Sequence, residues 1–279
     1  MEARKVVVIT CIALACLLLN VQGIVAAEDG WHFEITPYLW LPNIDGTVTF
    51  DGPADGVGEL ETTAGPNDYL QHLKMAGMVS AGVRKDRWSV FTDVIYLDFS
   101  KEDSTVRSVE FDALNSRVKI GAGLDSGSRT SLEGTEWTLA GGYSLVQSGQ
   151  GTLDVFGGFR YFTVKASLDW ELAASVSSPA GGRTLERSGS ISQRGELWDG
   201  IVGARGRINL GKSNLFIPYY LDIGTGTSAL TWQALLGVAY AFNWWDIKLA
   251  YRHLYYNTDG KLIDDMRFSG PALGANFRF

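Results

Sequence analysis

The three histidines are the side chains best suited to act as a general base near neutral pH. They are His32, His72 and His253. An ester hydrolase pairs such an imidazole with a serine hydroxyl, often close by in the sequence. No histidine here has a serine two positions later. An aspartate two positions before a histidine, an arrangement found in some proteases, is absent as well. A pair that only folding brings together stays open, but the sequence itself predicts no catalytic residue and no enzymatic activity.

Two other segments have the composition of a ligand site. Asp259, Asp264 and Asp265 fall in one predicted loop. Their carboxylates would suit a hard divalent cation, or they would form a solvated acidic loop, which is the simpler interpretation. The glycine-rich segment 223–228 has neither the lysine nor the following helix of a phosphate-binding loop. We therefore predict no metal ion and no cofactor.

Charged residues recur at alternate positions inside otherwise apolar segments. Those that we assign to one inward face are Asp93, Arg160, Asp199, Arg205, Arg207, Asp222, Asp246, Lys248 and Arg252, with Glu34 and Glu136 on the same parity and Trp40, Phe91, Phe156 and Phe162 between them. Both signs are present, and a buried charge without a partner is costly. The pattern predicts an ion-paired network inside the protein. The alternative is a charged constriction that lines a channel for small solutes.

The segments that carry these charges alternate with the period of two that is typical of β-strands. In 244–256, for example, Leu249 and Tyr251 share one face while Lys248 and Arg252 share the other. Comparable alternation predicts ten strands, near 31–41, 74–84, 88–100, 135–147, 152–166, 196–209, 214–224, 231–242, 244–256 and 266–279. The range is eight to twelve, because 117–125 also alternates.

The connections between these strands are of two kinds. Tight turns are predicted at 85–87, 148–151, 210–214 and 242–244, and long polar loops at 42–73, 101–134, 168–195 and 257–265. Short turns at one rim and long loops at the other are typical of a transmembrane antiparallel up-and-down β-barrel. Tryptophan and tyrosine residues near the strand ends fit the two interface girdles of such a barrel. In the alternative, a soluble sandwich or barrel, the same rings would form the core.

The N-terminus predicts export. Arg4 and Lys5 precede an apolar run from Val6 to about Leu19, and small residues follow up to Ala27. This is the pattern of a signal peptide, which we place at 1–27, so that the barrel comprises 28–279. The alternative is an uncleaved anchor, although the run is shorter than the roughly 20 residues of a membrane-spanning helix. Both cysteines, Cys11 and Cys16, lie inside this segment.

The last strand ends "SGPALGANFRF", with Phe277 and Phe279 on its apolar face. A terminal phenylalanine after alternating apolar residues resembles the assembly signature of Gram-negative outer-membrane barrels. More broadly, 37–48, 197–207, 218–242 and 251–257 look like segments of a group of uncharacterised proteobacterial outer-membrane β-barrel proteins. The resemblance implies an outer-membrane location and recognition by the barrel-assembly machinery, and it implies no established activity.

Taken together, these patterns predict a structural or surface-interaction protein of the outer membrane with a largely filled lumen and long extracellular loops. Its expected partners are membrane lipid and lipopolysaccharide. A net charge of −7 without a basic block argues against nucleic acid. Two alternatives remain, a passive porin-like pore and a lipid hydrolase carried on the barrel.

Overall fold

The computed structural model describes residues 30–51, 57–70, 73–102, 129–176, 183–258 and 263–279. Within these ranges the chain forms twelve strands and one helical turn. They are β1 (Trp31–Trp40), β2 (Asn43–Asp51), β3 (Val57–Ala64), α1 (Pro66–Tyr69), β4 (Leu73–Lys85), β5 (Trp88–Glu102), β6 (Arg129–Ser148), β7 (Gly151–Val176), β8 (Arg183–Asn209), β9 (Leu215–Gly226), β10 (Leu230–Ala241), β11 (Trp245–Asn257) and β12 (Ile263–Arg278). The predicted signal segment 1–27 and the alternating stretch 117–125 lie outside the described residues.

Ten of the described strands, β1 and β4 to β12, close into an antiparallel barrel. Each pairs with its neighbour in the chain, and β1 pairs with β12 to complete the ring. The last residue takes part in this closure, because Phe33 and Phe279 exchange backbone hydrogen bonds of 3.0 and 2.9 Å. The predicted transmembrane up-and-down barrel of about ten strands is confirmed.

The remaining pair, β2 and β3, extends the wall at one rim. β1 pairs with the later part of β12 and β2 with its earlier part, so β1 and β2 act as one broken strand. The break lies at Leu41 and Pro42, and it brings the backbone close to β12. A Cβ atom at Gly270 would lie 2.1 Å from the Leu41 carbonyl oxygen, so only glycine fits there.

Two stretches that we predicted as loops are mostly paired strand. Within 42–73 lies the β2–β3 hairpin, and β7 and β8 remain paired through 168–195, out to Val176 opposite Arg183. In the sequence of this part of β7, Leu168, Trp170 and Leu172 alternate with polar residues, whereas the facing part of β8 is rich in serine and charged residues. The prediction of loops followed their overall polar composition, whereas the hydrogen bonds of a β-ladder form without a lipid-facing row. The hairpin extends fifteen residues past Tyr161, roughly 50 Å along the strand.

The outer face of the ring is a continuous apolar belt. Leu249, Leu236 and Val202 have exposed fractions of 59%, 62% and 61%. Aromatic clusters bound the belt on both sides: Tyr161 contacts Trp198 with ring centroids 4.5 Å apart at one rim, and Phe242 stacks on Trp245 at 4.3 Å at the other. An apolar surface of this extent with two aromatic girdles faces hydrocarbon. No helix in the described part of the chain is both long and apolar enough to span a membrane.

Candidate functional site

The inside of the barrel has three zones along its axis. The first zone lies at the rim that carries the tight turns, here called the turn rim. Beyond the open zone at this rim lies a charged layer, formed by Asp93, Glu136, Arg160, Asp222 and Arg252. An aromatic layer, formed by Trp40, Phe162, Leu254, Tyr256 and Phe268, lies farther toward the rim of the β7–β8 hairpin, here called the extended rim. Inward positions of the strands supply all of these side chains, because residues two apart share a face.

Arg252 is one centre of the charged layer. Its guanidinium contacts Asp93 at 2.9 Å and Glu136 at 3.2 Å, and it donates hydrogen bonds of 2.9 Å to the Tyr38 hydroxyl and 2.8 Å to the Gln233 side-chain oxygen. The arginine is 3% exposed, so these groups replace its water. The planar fork of arginine suits several acceptors at once, which lysine cannot match.

Arg160 is the second centre, and it is fully buried. It forms an ion pair with Asp222, and its Nε lies 3.4 Å from a Glu136 oxygen. A further hydrogen bond of 3.2 Å reaches Gln233, which therefore accepts from both arginines. Glu136 also joins both arginines. Three carboxylates thus face two guanidinium groups, and the hydroxyl of Tyr38 donates to the surplus acid at Asp93.

The aromatic layer covers the charged layer on the side of the extended rim. Phe162 packs against Tyr256 at 5.0 Å and against Phe268 at 5.9 Å, and the Trp40 indole nitrogen donates to the Gly270 carbonyl at 3.2 Å. The Arg252 guanidinium lies 4.7 Å from the Trp40 ring centroid. This cation–π contact joins the two layers face to face.

Between the charged layer and the turn rim lies an open cavity of about 310 Å³, here called the vestibule. One wall is aromatic, with Phe91, Phe216 and Tyr220. Small residues such as Ser80 and Ala250 also line the cavity and leave space in it. A cavity of this size is at the lower end of those that bind small molecules.

The nine residues assigned to the inward charge network all lie on the inner face, but in different places. The charged layer contains Asp93, Arg160, Asp222 and Arg252, and the vestibule contains Arg205, Arg207, Asp246 and Lys248. Asp199 pairs with neither group, since it accepts hydrogen bonds of 2.8 Å from the backbone and the hydroxyl of Ser228. It fixes the connection between β9 and β10.

Several polar groups of the lumen are not among those nine residues. Glu136 shares the inward parity, yet its role as the bridge between the two arginines follows only from the fold. Arg84, on β4, pairs with Asp154 in the vestibule, and Tyr38 and Gln233 are uncharged partners. Alternation gives the face of each residue, but not its height in the barrel, so these pairings leave no sequence signal.

One potentially catalytic contact lies on the outer surface. His253 Nδ1 is 2.5 Å from Ser269 Oγ across the β11–β12 pair, and the His253 ring packs on Trp232 at 4.5 Å. The sequence could not indicate this pair, because Ser269 lies sixteen residues after the histidine. His32 also lies within the described residues, on β1, and His72 falls outside them.

The other sequence candidates lie at the two rims. Phe277 packs against both Trp244 and Trp245 at the turn rim, with ring centroids 5.5 and 6.5 Å apart, and Phe279 follows at the end of the same strand. Of the three loop aspartates, Asp265 forms an ion pair of 2.9 Å with Arg267, whereas Asp259 and the side chain of Asp264 lie outside the described part. Among the described residues, no cluster of three or more His, Cys, Asp or Glu side chains is arranged to hold a metal ion.

Comparison with known proteins gives only distant likenesses. No family model and no curated protein matches the chain. Among solved structures, it is similar to the outer-membrane protease OmpT from Escherichia coli, with 11% identity, 91% of this chain and 98% of that chain covered, and a TM-score of 0.48.

Two other solved structures are more distant in TM-score. The translocator domain of the autotransporter NalP from Neisseria meningitidis has 16% identity, 100% and 98% coverage and a TM-score of 0.37. The attachment invasion locus protein Ail of Yersinia pestis has 13% identity, 90% and 100% coverage and a TM-score of 0.33. At these identities and TM-scores, none of the three carries a function or a site over to this chain.

Proposed function

We propose that the protein is an integral outer-membrane β-barrel whose lumen is sealed by its own side chains, with a structural or surface-interaction role. The apolar belt and its two aromatic girdles support the membrane location. The predicted export signal and the resemblance to outer-membrane barrels support the outer membrane of a Gram-negative cell.

The observation that carries the sealed lumen is the connection of opposite walls through the two arginines. Asp93 on β5, Glu136 on β6 and Arg160 on β7 join Asp222 on β9 and Arg252 on β11 in one contact network. The network therefore crosses the bore. Side chains from ten strands fill a barrel of this size when they are large, and the aromatic layer adds a second barrier of that kind.

The orientation follows the usual plan of such barrels, with the turn rim in the periplasm and the extended rim outside the cell. The long β7–β8 hairpin then stands beyond the membrane, where lipopolysaccharide and surface partners are within its reach. Phe277 and Phe279, at the end of the strand that closes the ring, form the signal for the barrel-assembly machinery during biogenesis.

Planar-bilayer recording tests the sealed lumen. We expect the purified protein to give no steady single-channel steps. A variant with both Trp40→Ala and Arg252→Ala serves as the opened control, because it removes the two stacked side chains that join the layers. Steady steps from the unmodified protein would instead establish the pore alternative.

A second candidate function rests on the His253–Ser269 contact. An imidazole nitrogen within hydrogen-bond distance of a serine hydroxyl can accept its proton while the serine oxygen attacks an ester carbonyl. The acyl group then passes to the serine oxygen, the protonated imidazole returns the proton to the leaving alcohol, and water later releases the acid. Both residues lie on the lipid face beside Trp232, at the height of a girdle, where acyl esters of lipids lie.

Mass analysis of lipid A and phospholipids after overexpression tests this candidate. If the protein hydrolyses lipid, one lipid species will lack an acyl chain in cells that overexpress the unmodified protein. The same species will keep that chain in cells that overexpress His253→Ala or Ser269→Ala. Thr135→Ala, an outward change on the opposite side of the barrel, is the control. Identical lipid profiles for all four proteins would remove the candidate and leave the sealed barrel.

A further inference from the structure

The vestibule holds more positive than negative charge. Six arginine and lysine side chains line it, against four aspartate and glutamate side chains. Four of these cations have acidic partners: Arg252 pairs with Asp93, Arg84 with Asp154 and Arg278 with Asp246. Arg205 lies 3.9 Å from Asp154 and 4.0 Å from Glu34, the fourth acid. The carboxylates of the cavity are therefore already engaged.

Among the residues that the structure describes, the cations that form no ion pair in this cavity are Arg207 and Lys248. Within the described part of the chain, no carboxylate oxygen lies within 4.0 Å of either cationic group, and Glu34 and Asp246 act on Lys248 only from a greater distance. Both are half-buried and both line the vestibule. Arg207 is two residues before the end of β8 and Lys248 three after the start of β11, so both lie near the mouth of the cavity.

The walls of the cavity add a second preference. The guanidinium of Arg207 lies 5.5 Å from the Phe216 ring centroid, and that of Arg205 lies 3.8 Å from the Phe91 ring centroid. Together with the small lining residues Ser80 and Ala250, these rings leave a space that suits a flat apolar body. The charged layer closes the far end, so a ligand enters and leaves through the turn rim only.

We propose that the vestibule is a binding site for a small organic anion, a carboxylate with a flat apolar body, which enters from the turn rim. Its carboxylate is held by Lys248 and Arg207, neither of which has a carboxylate of the described residues within 4.0 Å. Its body lies against the ring of Phe216. This site is separate from the sealed-lumen function, because binding is measured without any flux across the membrane.

Isothermal titration calorimetry on the folded protein in detergent tests the proposal with three probes. Benzoate carries both features, acetate carries only the charge, and benzyl alcohol carries only the ring. We expect saturable binding of benzoate and at least about tenfold weaker binding of the other two. Equal affinity for benzyl alcohol would overturn the anion assignment, and absence of saturable benzoate binding would overturn the site.

Two variants locate the site, and one serves as the matched control. Lys248→Gln removes the charge, and Ala250→Leu fills the space beside it, so each is expected to weaken benzoate binding at least about tenfold. Lys212→Gln lies in the exposed turn between β8 and β9 and should leave binding unchanged. Gel mobility before and after heating confirms that each variant is folded. Unchanged binding in folded Lys248→Gln or Ala250→Leu, or an equal loss in Lys212→Gln, would contradict the assignment.

Discussion

Removal of Arg252 should be among the most destabilising single changes in the barrel. Arg252→Met keeps the length of the side chain but removes the partner of Asp93 and one of the two partners of Glu136, both inside the lumen. It also leaves the Gln233 oxygen and the Tyr38 hydroxyl with one donor fewer. The loss of one member of a buried ion pair costs about 3–5 kcal/mol, chiefly because the other charge stays buried without compensation. We expect the free energy of unfolding to fall by about that amount.

Urea unfolding in lipid vesicles, followed by tryptophan fluorescence, measures this change. Arg207→Met is the matched control, since that arginine contacts a ring in the vestibule and lies near water. Its loss should cost less than about 1 kcal/mol. Arg252→Lys should fall between the two, because it retains the charge and loses the planar fork. If Arg252→Met cost no more than Arg207→Met, the charged layer would not be the tightly paired structure described here.

Three further changes test other parts of the account. Leu249→Arg places a charge in the apolar belt and should lower the free energy of unfolding in vesicles by about 2–4 kcal/mol. Ala250→Ser, which points into the vestibule, should lower it by less than about 1 kcal/mol. Equal losses would mean that the inward and outward faces of β11 are assigned wrongly. Phe162→Ala opens the aromatic layer and should cost about 3–5 kcal/mol in the same measurement, and a cost below about 1 kcal/mol would show that this layer is not packed. Gly270→Ala should prevent the close approach of the Leu41 carbonyl, so we expect the heat-modifiable folded band on gels to be lost. A normal folded band would show that the break between β1 and β2 tolerates a side chain at position 270.

The sequence predicted the wall of the barrel well, because a lipid-facing row imposes a pattern on every strand. Leu249 and Leu273 had to be apolar, and their neighbours Lys248 and Gly274 had to suit the interior. This requirement repeats at every second residue, so ten strands and their facing follow from one chain alone.

The arrangement inside the lumen could not be predicted in the same way. Glu136 and Arg252 are 116 residues apart, and their contact depends on the strand tilt and register summed around the ring. The outer part of β7 and β8 was also missed. Leu168, Trp170 and Leu172 alternate with polar residues there, but the proline, glycine and serine residues of 177–192 favour a loop more strongly than this short apolar row favours a strand.

Collision measurements on spin labels along β11 test the central claim most directly. Cysteines placed singly at Lys248, Leu249, Ala250, Tyr251 and Leu254, in the cysteine-free chain 28–279, would carry the label in lipid vesicles. We predict that oxygen dissolved in the lipid reaches labels at 249 and 251, that a water-soluble nickel chelate reaches labels at 248 and 250, and that neither quencher reaches the label at 254. Access of the chelate to 254 would contradict the sealed lumen, and preferential access of the chelate to 249 and 251 would contradict the membrane-facing wall.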